Sequence, residues 1–190
     1  MAVTINGTTG VSTPGVANSG NETITGTLAV TGAITGSGLS TTLYPLVSGT
    51  AVASTSGTSI DFTSIPSWVK RITVMFNGVS TNGTSPVQIQ LGVSGTAETT
   101  GYISTSSIIA SSTAATANST TGLLLVTATA VTDTMSGIAT IATLGSNIWV
   151  HSSNIKRSTT QACFSEGDKT LAGTLNLVRI TTVNLSLIHI

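Results

Sequence analysis

The chain has 190 residues, of which 39% are hydrophobic and only 6% are charged, and its formal net charge is zero. This composition excludes an ordinary disordered segment, which would be rich in charge and poor in Val, Ile and Leu. It also departs from the roughly 25% charge of an average soluble domain. Thr and Ser supply about a third of the residues, which is typical of strands and turns rather than helices.

Basic residues are too few for a nucleic-acid-binding surface. Of the six Lys and Arg residues, four lie in the pairs Lys70-Arg71 and Lys156-Arg157. We interpret these pairs as solvated strand ends or as charges that face a partner. Phosphate backbones are bound by clusters of such residues, so we expect no nucleic-acid partner.

Residues that could carry redox or metal chemistry are isolated. Cys163 is the only cysteine and cannot form an internal disulfide. Its neighbours Ala162 and Phe164 predict a small buried side chain. One cysteine, His151, His189 and scattered carboxylates do not have the spacing of a metal site. We expect no metal and no cofactor.

The segment "MAVTINGTTG" at the N-terminus has neither a basic start nor an apolar run, so no secretory signal is predicted. No stretch approaches the roughly 20 apolar residues that a membrane-spanning helix needs. We expect the protein to be made in the cytosol and not to insert into a membrane.

Residues 1–43 differ from the rest of the chain. They include "NETITGTLAVTGAITGSG", in which a β-branched residue, a threonine and a glycine recur at short, uneven spacing. A flexible linker, a two-strand arm and a stalk are all compatible with this pattern. A linker needs no apolar residues, so four of them favour an extended stalk buried against other chains, as in an intertwined homotrimer: Ile24, Leu28, Val30 and Ile34.

A regular strand pattern begins at Ser59. Ile60 and Phe62 alternate with polar residues, which predicts a short strand that Pro66 ends. A second strand of about nine residues follows. One face of it is expected to form the largest core cluster: Trp68, Ile72, Val74 and Phe76. A receptor contact through Trp68 is the alternative.

Turn signals and a further strand follow. Asn77-Gly78 can supply the positive φ angles of a hairpin or a bulged turn, and residues 81–84 predict a second turn. After Pro86, three apolar residues alternate with two glutamines, which predicts a half-buried strand: Val87, Gln88, Ile89, Gln90 and Leu91.

The rest of the chain continues as short strands. Residues 111–121 are small and polar and predict an exposed loop. No segment has the apolar spacing of a helix over three turns. Further strands are expected at 101–106, 123–131, 137–144, 148–151, 161–165 and 171–183. The predicted fold is therefore all-β, with a β-sandwich over 44–184 that resembles a jelly roll in strand count.

Candidate catalytic residues are weak. Glu166 and Asp168 could share one face of a strand, but Gly167 between them and Lys169 after them favour an exposed turn. His151 follows an apolar run and is interpreted as a strand-end histidine rather than a general base. No GxSxG or phosphate-loop motif occurs. We predict no catalytic, cofactor-binding or metal-ligating residue, and no enzyme.

One long segment resembles a known family. "SGTSIDFTSIPSWVKRITVMFNGVSTNGTSPVQIQLG", residues 56–92, is similar to a segment common in tailed-phage and prophage virion proteins described as tail fibre or minor structural proteins. "GYISTSS" at Gly101 and "LVRITTVN" at Leu177 fit its later part. The upstream "TGTLAVTGAITGSG" and "YPLVSGTA" resemble the stem that precedes it. The resemblance is strong over 56–92 and loose over 108–172.

The resemblance implies a virion component that is oligomeric and exposed on the particle. Such proteins are commonly trimeric fibres that touch the host surface. The implied partners are copies of the chain, other tail proteins and a host-surface glycan or protein. The family offers no catalytic residue to transfer to this sequence.

The end of the chain departs from the family pattern. Residues 185–190, "LSLIHI", are the translation of CTG TCT CTT ATA CAC ATC, a transposon end used in sequencing libraries. We hypothesise that these residues are adapter read-through and not native. His189 would then have no role, and one sandwich edge would be left unpaired, which is an aggregation liability. Different codons for these residues would refute the hypothesis.

Three functions are weighed on this basis. The first is a virion structural protein with a stalk and a self-associating β-sandwich head. The second is a tailspike-type glycan depolymerase, which would need a carboxylate pair in a cleft with aromatic platforms, whereas aromatic residues are 4% of the chain. The third is a capsid decoration protein or a surface adhesin module, and an adhesin would usually carry an export signal.

Overall fold

The structure is a computed structural model that describes residues 46–53, 57–110, 112, 114–184 and 188–189, the last two by their backbone only. The predicted stalk over 1–43 and its boundary with the head lie outside the described residues. The described residues contain no helix. Their strands are β1 (Ser59–Phe62), β2 (Arg71–Thr81), β3 (Val87–Val93), β4 (Thr96–Ala97), β5 (Tyr102–Ala110), β6 (Ala114–Ser119), β7 (Leu123–Leu124), β8 (Met135–Gly145), β9 (Ile148–Lys156), β10 (Gln161–Thr170), β11 (Leu175–Thr182) and β12 (Ile188–His189).

The strands form two antiparallel sheets, which confirms the prediction of an all-β sandwich. The five-stranded sheet has the order β1-β11-β3-β4, and β7 also pairs with β3. The seven-stranded sheet has the order β12-β2-β8-β9-β10-β5-β6. Apolar side chains from both sheets belong to one buried cluster, so the core lies between them.

The core is centred on β3 rather than on β2. Val87, Ile89 and Leu91 are completely buried. In β2, Phe76 is buried, and Ile72 and Val74 pack against the core while staying partly exposed. Each buried large side chain stabilises the fold by roughly 1.5–3 kcal/mol, and both sheets contribute such side chains to the core.

The placement of Trp68 on the core strand was wrong. Trp68 precedes β2 in a turn and is half-buried. Pairing of β2 with β8 begins only at Arg71, opposite Ala142, and Val69 donates a backbone hydrogen bond to the Pro66 carbonyl. The proline therefore closes a turn that continues past Trp68 and delays the strand.

Asn77-Gly78 forms a bulge within β2 and not a hairpin. Gly78 has a φ of 69°, and the pairing of β2 with β8 shifts between Phe76 and Val79. The Gly78 N–H donates to the Ser136 hydroxyl at 3.1 Å. A glycine meets the positive φ at little cost, so this part of the prediction, a bulged turn, is confirmed.

Two loop and strand assignments were wrong. Residues 114–119 form the strand β6, which pairs with β5, although 111–121 was predicted as a loop. Only Leu123–Leu124 of the predicted strand 123–131 is a strand, although Leu125 and Val126 are buried. Pairing at an exposed edge leaves no hydrophobic alternation to read, and burial alone does not show whether a segment pairs.

The other strands over 101–183 are confirmed in place and are mostly longer than predicted. β9 runs to Lys156 and β10 to Thr170. Glu166, Gly167 and Asp168 are therefore inside β10, and the prediction of a turn there was wrong. At the end of the chain, Ile188–His189 pairs with β2 at Thr81 and Ser80. The adapter origin of 185–190 stays a hypothesis.

The hydroxyl of Tyr102 completes the edge of β3. That edge pairs with β7 at Gln88–Ile89 and with β4 at Gly92–Val93. Between these contacts, the Leu91 N–H donates to the Tyr102 hydroxyl at 2.7 Å, and the hydroxyl lies 3.2 Å from the Leu91 carbonyl oxygen. Tyr102 belongs to β5 of the other sheet, so one side chain ties the two sheets together.

Candidate functional site

Glu166 and Asp168 lie on the outer face of the seven-stranded sheet. Glu166 is exposed and Asp168 half-buried, whereas Gly167 between them lies opposite His151 of β9 and Ser104 of β5. The two carboxylates therefore share one face of a strand. Neither is part of the salt bridges between described residues. No group of three or more His, Cys, Asp or Glu residues that could hold a metal occurs in the described part of the chain.

His151 is a central core residue and not a strand-end residue. Its side chain is 4% exposed, and neither ring nitrogen has a hydrogen-bond partner. Burial lowers the pKa of His151 to about 4, because the charged imidazolium is poorly solvated there. The Ser153 hydroxyl, two residues further along β9, is also buried without a partner.

Cys163 and the basic pairs match most of what the sequence predicts. Cys163 is completely buried, and burial raises the pKa of its thiol. Lys70 is exposed just before β2, and Lys156 is exposed at the end of β9. Arg157 differs, because it is half-buried and its Nε donates to the Asp133 carboxylate at 2.6 Å.

The outer face of the seven-stranded sheet carries an exposed apolar row. Met75 of β2 pairs with Ile138 of β8, and the row continues through Asn154 of β9 to Phe164 of β10. The exposed fractions are 78% for Met75, 49% for Ile138 and 45% for Phe164. We call the whole outer face of the seven-stranded sheet, which includes this row, the seven-stranded face.

A polar row runs beside the apolar row on the seven-stranded face. It crosses six strands and ends at the hydrogen bond from Thr105 to Asn118, whose side chains are 3.0 Å apart. Its members in cross-strand order are Thr73, Thr140, Ser152, Glu166, Thr105 and Asn118. The seven-stranded face is thus rich in hydroxyls and interrupted by a few large apolar side chains.

Charges on the seven-stranded face are balanced and far apart. It carries Arg71 and Lys156 against Glu166 and Asp168, and none of the four forms a salt bridge with a described residue. Arg71 and Asp168 are on one cross-strand row but three strands apart, which is about 14 Å at the usual strand spacing.

The outer face of the five-stranded sheet is shaped differently and contains a cleft of about 370 Å³. We call it the polar cleft, and six residues define it: Ser59, Gln88, Gln90, Thr121, Arg179 and Thr181. Two cross-strand rows form its floor. The first joins Ser59, Thr181 and Gln88, and the second joins Asp61, Arg179 and Gln90.

Hydrogen bonds hold the floor of the polar cleft in place. The Gln88 Oε1 accepts hydrogen bonds from the hydroxyls of Ser119 and Thr121, both at 3.2 Å. The Gln90 Nε2 donates to the Thr121 carbonyl at 2.9 Å. Gly122 lies so close to the Gln88 carboxamide that an added Cβ would come within 2.6 Å of it. Both glutamines are nearly buried, at 1% and 6% exposure.

An ion pair closes one end of the polar cleft. The Arg179 Nε and Nη2 donate to the two carboxylate oxygens of Asp61, each at 2.7 Å. The hydrogen bond from Arg179 lowers the pKa of Asp61, and the same bond raises the pKa of Arg179. Arg179 therefore binds Asp61 in a bidentate manner through the Nε–Nη2 edge of its guanidinium.

The cleft residues are the functional candidates that sequence reasoning missed. The alternation of Gln88 and Gln90 with apolar residues was read as a half-solvated face, whereas β3 is buried on both sides. The one local sign of a site was that Gln88 and Gln90, two large carboxamides, occupy successive outward positions of β3. Residues 119–122 pack over the two glutamines and bury them. No local sequence pattern predicts this contact with β3.

No family model, no curated protein sequence and no solved structure matches the chain. Within the described residues, no helix is long and apolar enough to span a membrane.

Proposed function

We propose that the protein is a structural component of a phage virion, a tail fibre or a related appendage, which contributes to host attachment through self-assembled β-sandwich heads. In this role it acts by binding and not by catalysis. It is made in the host cytoplasm and resides in the virion. Its partners are copies of itself, other tail proteins and a molecule of the host surface.

The seven-stranded face is the observation that carries the proposal. Met75 and Ile138 are directly paired neighbours, and both are largely exposed. Large apolar side chains grouped on a surface mark interaction sites, whereas single exposed apolar residues are ordinary. The regular strands beneath this face hold it rigid, so contact with another surface orders few side chains and costs little conformational entropy.

A second copy of the chain is the occupant that best suits this face. Its two positive and two negative charges are unpaired within the described chain, and an opposed copy can offer each of them a partner of opposite sign. Around the three-fold axis of a trimer the contacts are heterologous, so the basic residues of one copy can face the acidic residues of the next. The hydroxyls of Thr73, Thr140 and Ser152 can bond across the contact without burying a further charge.

The segment resemblance over 56–92 supports the assignment to a virion. The composition agrees with it, because a sheet protein with 6% charged residues packs against its copies without desolvating many ions. A stalk over 1–43 that intertwines three chains remains part of the proposal.

Sedimentation velocity of the full chain tests the self-association. We expect a concentration-dependent oligomer, and we expect the double variant Met75→Lys/Ile138→Lys to raise its dissociation constant by about tenfold or more. Val131→Lys is the matched control, because Val131 is 63% exposed in a loop. A monomer at all concentrations, or equal weakening by the control, would contradict the proposal.

Antibody labelling tests the assignment to the virion. Antibodies raised against the purified chain should bind the tail of phage particles produced by the host that carries the coding sequence, as seen by negative-stain electron microscopy. Labelling of the capsid would favour a decoration protein. Particles that contain none of the chain would refute the assignment.

A further inference from the structure

The polar cleft on the five-stranded sheet lies on a different surface from the seven-stranded face and has the chemistry of a ligand site. Ligand pockets typically measure about 300–1,000 Å³ and are mostly apolar. This cleft reaches the lower end of that range at about 370 Å³, and Val183 is the one apolar residue that lines it. Its lining residues other than Val183 carry polar groups, so hydrogen bonds can orient a ligand there.

The free atoms of the cleft are one donor and one acceptor. The Gln88 Oε1 and the Gln90 Nε2 are used inside the protein. The Gln88 Nε2 and the Gln90 Oε1 make no hydrogen bond within the described residues, and neither is among the fully buried side-chain atoms that lack a partner. Two residues apart on one strand, they approach the cleft from points roughly 7 Å apart.

The charge of the cleft argues for a neutral ligand. Arg179 is the one charged residue that lines it, and its Nε and Nη2 both bond to Asp61. The Asp61 carboxylate offsets the charge of Arg179, so the cleft presents no net positive charge to a carboxylate or a phosphate. A cation would find no free carboxylate in the lining.

Most of the remaining lining groups are hydroxyls. Those of Thr121 and Thr181 already donate inside the protein, so they can only accept from a ligand. Thr99 and Thr121 stand at one side of the cleft, and Ser59 and Thr181 at the other. No aromatic ring lines the cleft, so a base or another flat ring has no stacking surface. A ligand with many neutral hydroxyls matches this set of donors and acceptors.

We propose that the polar cleft binds a neutral carbohydrate unit, with the carboxamides of Gln88 and Gln90 as its fixed donor and acceptor. The inference deepens the proposed function and rests on it for its biological role, since host attachment requires a surface ligand. The geometry of the cleft is independent of that role.

The variant Gln88→Glu isolates the free donor. Glutamate keeps the shape and the oxygen that accepts from Ser119 and Thr121, and it replaces the free amide N–H donors with an acceptor. The ligand hydroxyl then loses its hydrogen-bond donor in the cleft. Gln161→Glu is the matched control, because it makes the same chemical change at the start of β10, outside the cleft.

NMR titration of the full chain is the experiment, with signals from the side-chain amides of Gln88 and Gln90 as the readout. The probes are the methyl glycosides of glucose, galactose and N-acetylglucosamine, with acetate and spermidine as charged controls. We expect saturable shifts of these amide signals with at least one glycoside. Gln88→Glu should weaken binding by about fivefold or more, and Gln161→Glu should leave it unchanged.

A second variant, at an exposed residue, keeps the test valid if Gln88→Glu fails to fold. Thr99→Arg places a long side chain at the rim of the cleft from an exposed position and should also abolish the shifts. Equal binding by all variants, preferential binding of acetate or spermidine, or no response to any glycoside would overturn the inference.

The two proposals fail separately. Met75→Lys/Ile138→Lys should keep glycoside binding while it loses self-association. Glycoside binding by a chain that never self-associates would overturn the proposed function and leave the cleft inference standing. Self-association without glycoside binding would overturn the cleft inference and leave the proposed function standing.

Discussion

The two sheets of the sandwich differ in what covers their outer faces. In the five-stranded sheet, the outward side chains Gln88 and Gln90 of β3 are nearly as buried as the core residues on its other side. In the seven-stranded sheet, β8, β9 and β10 alternate between buried and exposed residues. The same antiparallel architecture therefore gives one face a hydrogen-bonded cleft and leaves the other as an exposed surface.

The difference teaches that composition alone does not assign a role to a sheet face. Both outer faces are rich in Thr, Ser and amides. On the five-stranded sheet, residues 119–122 cover the polar groups and fix them in place. On the seven-stranded sheet, the polar groups stay in water beside exposed apolar side chains. Fixed polar groups suit a small ligand, and a broad rigid face suits another protein.

The largest expected effect is a loss of stability, and it is found by making the same Ile→Ala substitution on each sheet. Ile89 of the five-stranded sheet is completely buried, and Ile138 of the seven-stranded face is 49% exposed. Ile89→Ala should lower the free energy of unfolding by about 2–5 kcal/mol, and Ile138→Ala by less than about 1 kcal/mol. Urea denaturation measures both, at protein concentrations low enough to keep the chain dissociated. Similar losses would show that the second face is also covered in solution.

His151 supplies the next effect, which concerns pH. Its pKa is about 4 in the folded protein and about 6.5 in an unfolded chain. Above pH 6.5 both states hold it neutral, so no stability depends on it. As the pH falls from 6.5 to 4, the unfolded chain gains the proton first, and the fold should lose about 3 kcal/mol.

His151→Leu isolates this loss from that of the carboxylates, which titrate in the same way in both proteins. The variant should lose about 3 kcal/mol less stability than the parent between pH 7 and pH 4. Thermal unfolding across that range provides the measurement. Identical pH profiles would mean that water or a partner group reaches the imidazole.

Tyr102→Phe tests the tie between the sheets. The hydroxyl accepts the Leu91 N–H and donates to the Glu98 carbonyl, 2.9 Å away. Its removal leaves a buried N–H without a partner, which should cost about 1–3 kcal/mol. Hydrogen exchange should speed up most at the Leu91 amide. Unchanged protection of that amide would show that β3 does not need the hydroxyl.

The smallest effect is expected from the ion pair at the end of the cleft. Asp61 and Arg179 are each about a third exposed, so Asp61→Asn should cost only about 0.2–1 kcal/mol. Because the pKa of Asp61 is lowered, the pair stabilises the fold at neutral pH and loses this contribution as the carboxylate protonates in acid. A chemical denaturation series at pH 7 and pH 3 measures it. A cost above about 2 kcal/mol would show that Asp61 also supports the cleft floor.

The sequence predicted strands well where one face of the strand is buried and the other faces solvent. The strands β8, β9 and β10 were predicted at the right places because their residues alternate between core and solvent, and alternation is a local signal. β9 and β10 were nevertheless predicted too short. The prediction failed for β6, whose residues are nearly all exposed. That strand exists because β5 offers it a backbone to pair with, and no side-chain pattern records such a partner.

The polar cleft could not have been predicted, because its parts are distant in the chain. Asp61 and Arg179 are 118 residues apart, and Gln88 and Thr121 are 33 apart. Pairing of β1 with β11 and of β11 with β3 brings them together. A single sequence contains no measure of such pairing, so it predicted the strands without their neighbours.

Thiol labelling as a function of protein concentration tests the division between the two faces most directly. Cys163 is completely buried, so a single new cysteine dominates the reaction. Labelling of Ile138→Cys with a maleimide should slow as the chain assembles, whereas labelling of Thr99→Cys at the cleft should keep its rate. Protection of Thr99→Cys with full exposure of Ile138→Cys would contradict the account, because the cleft would then be the interface.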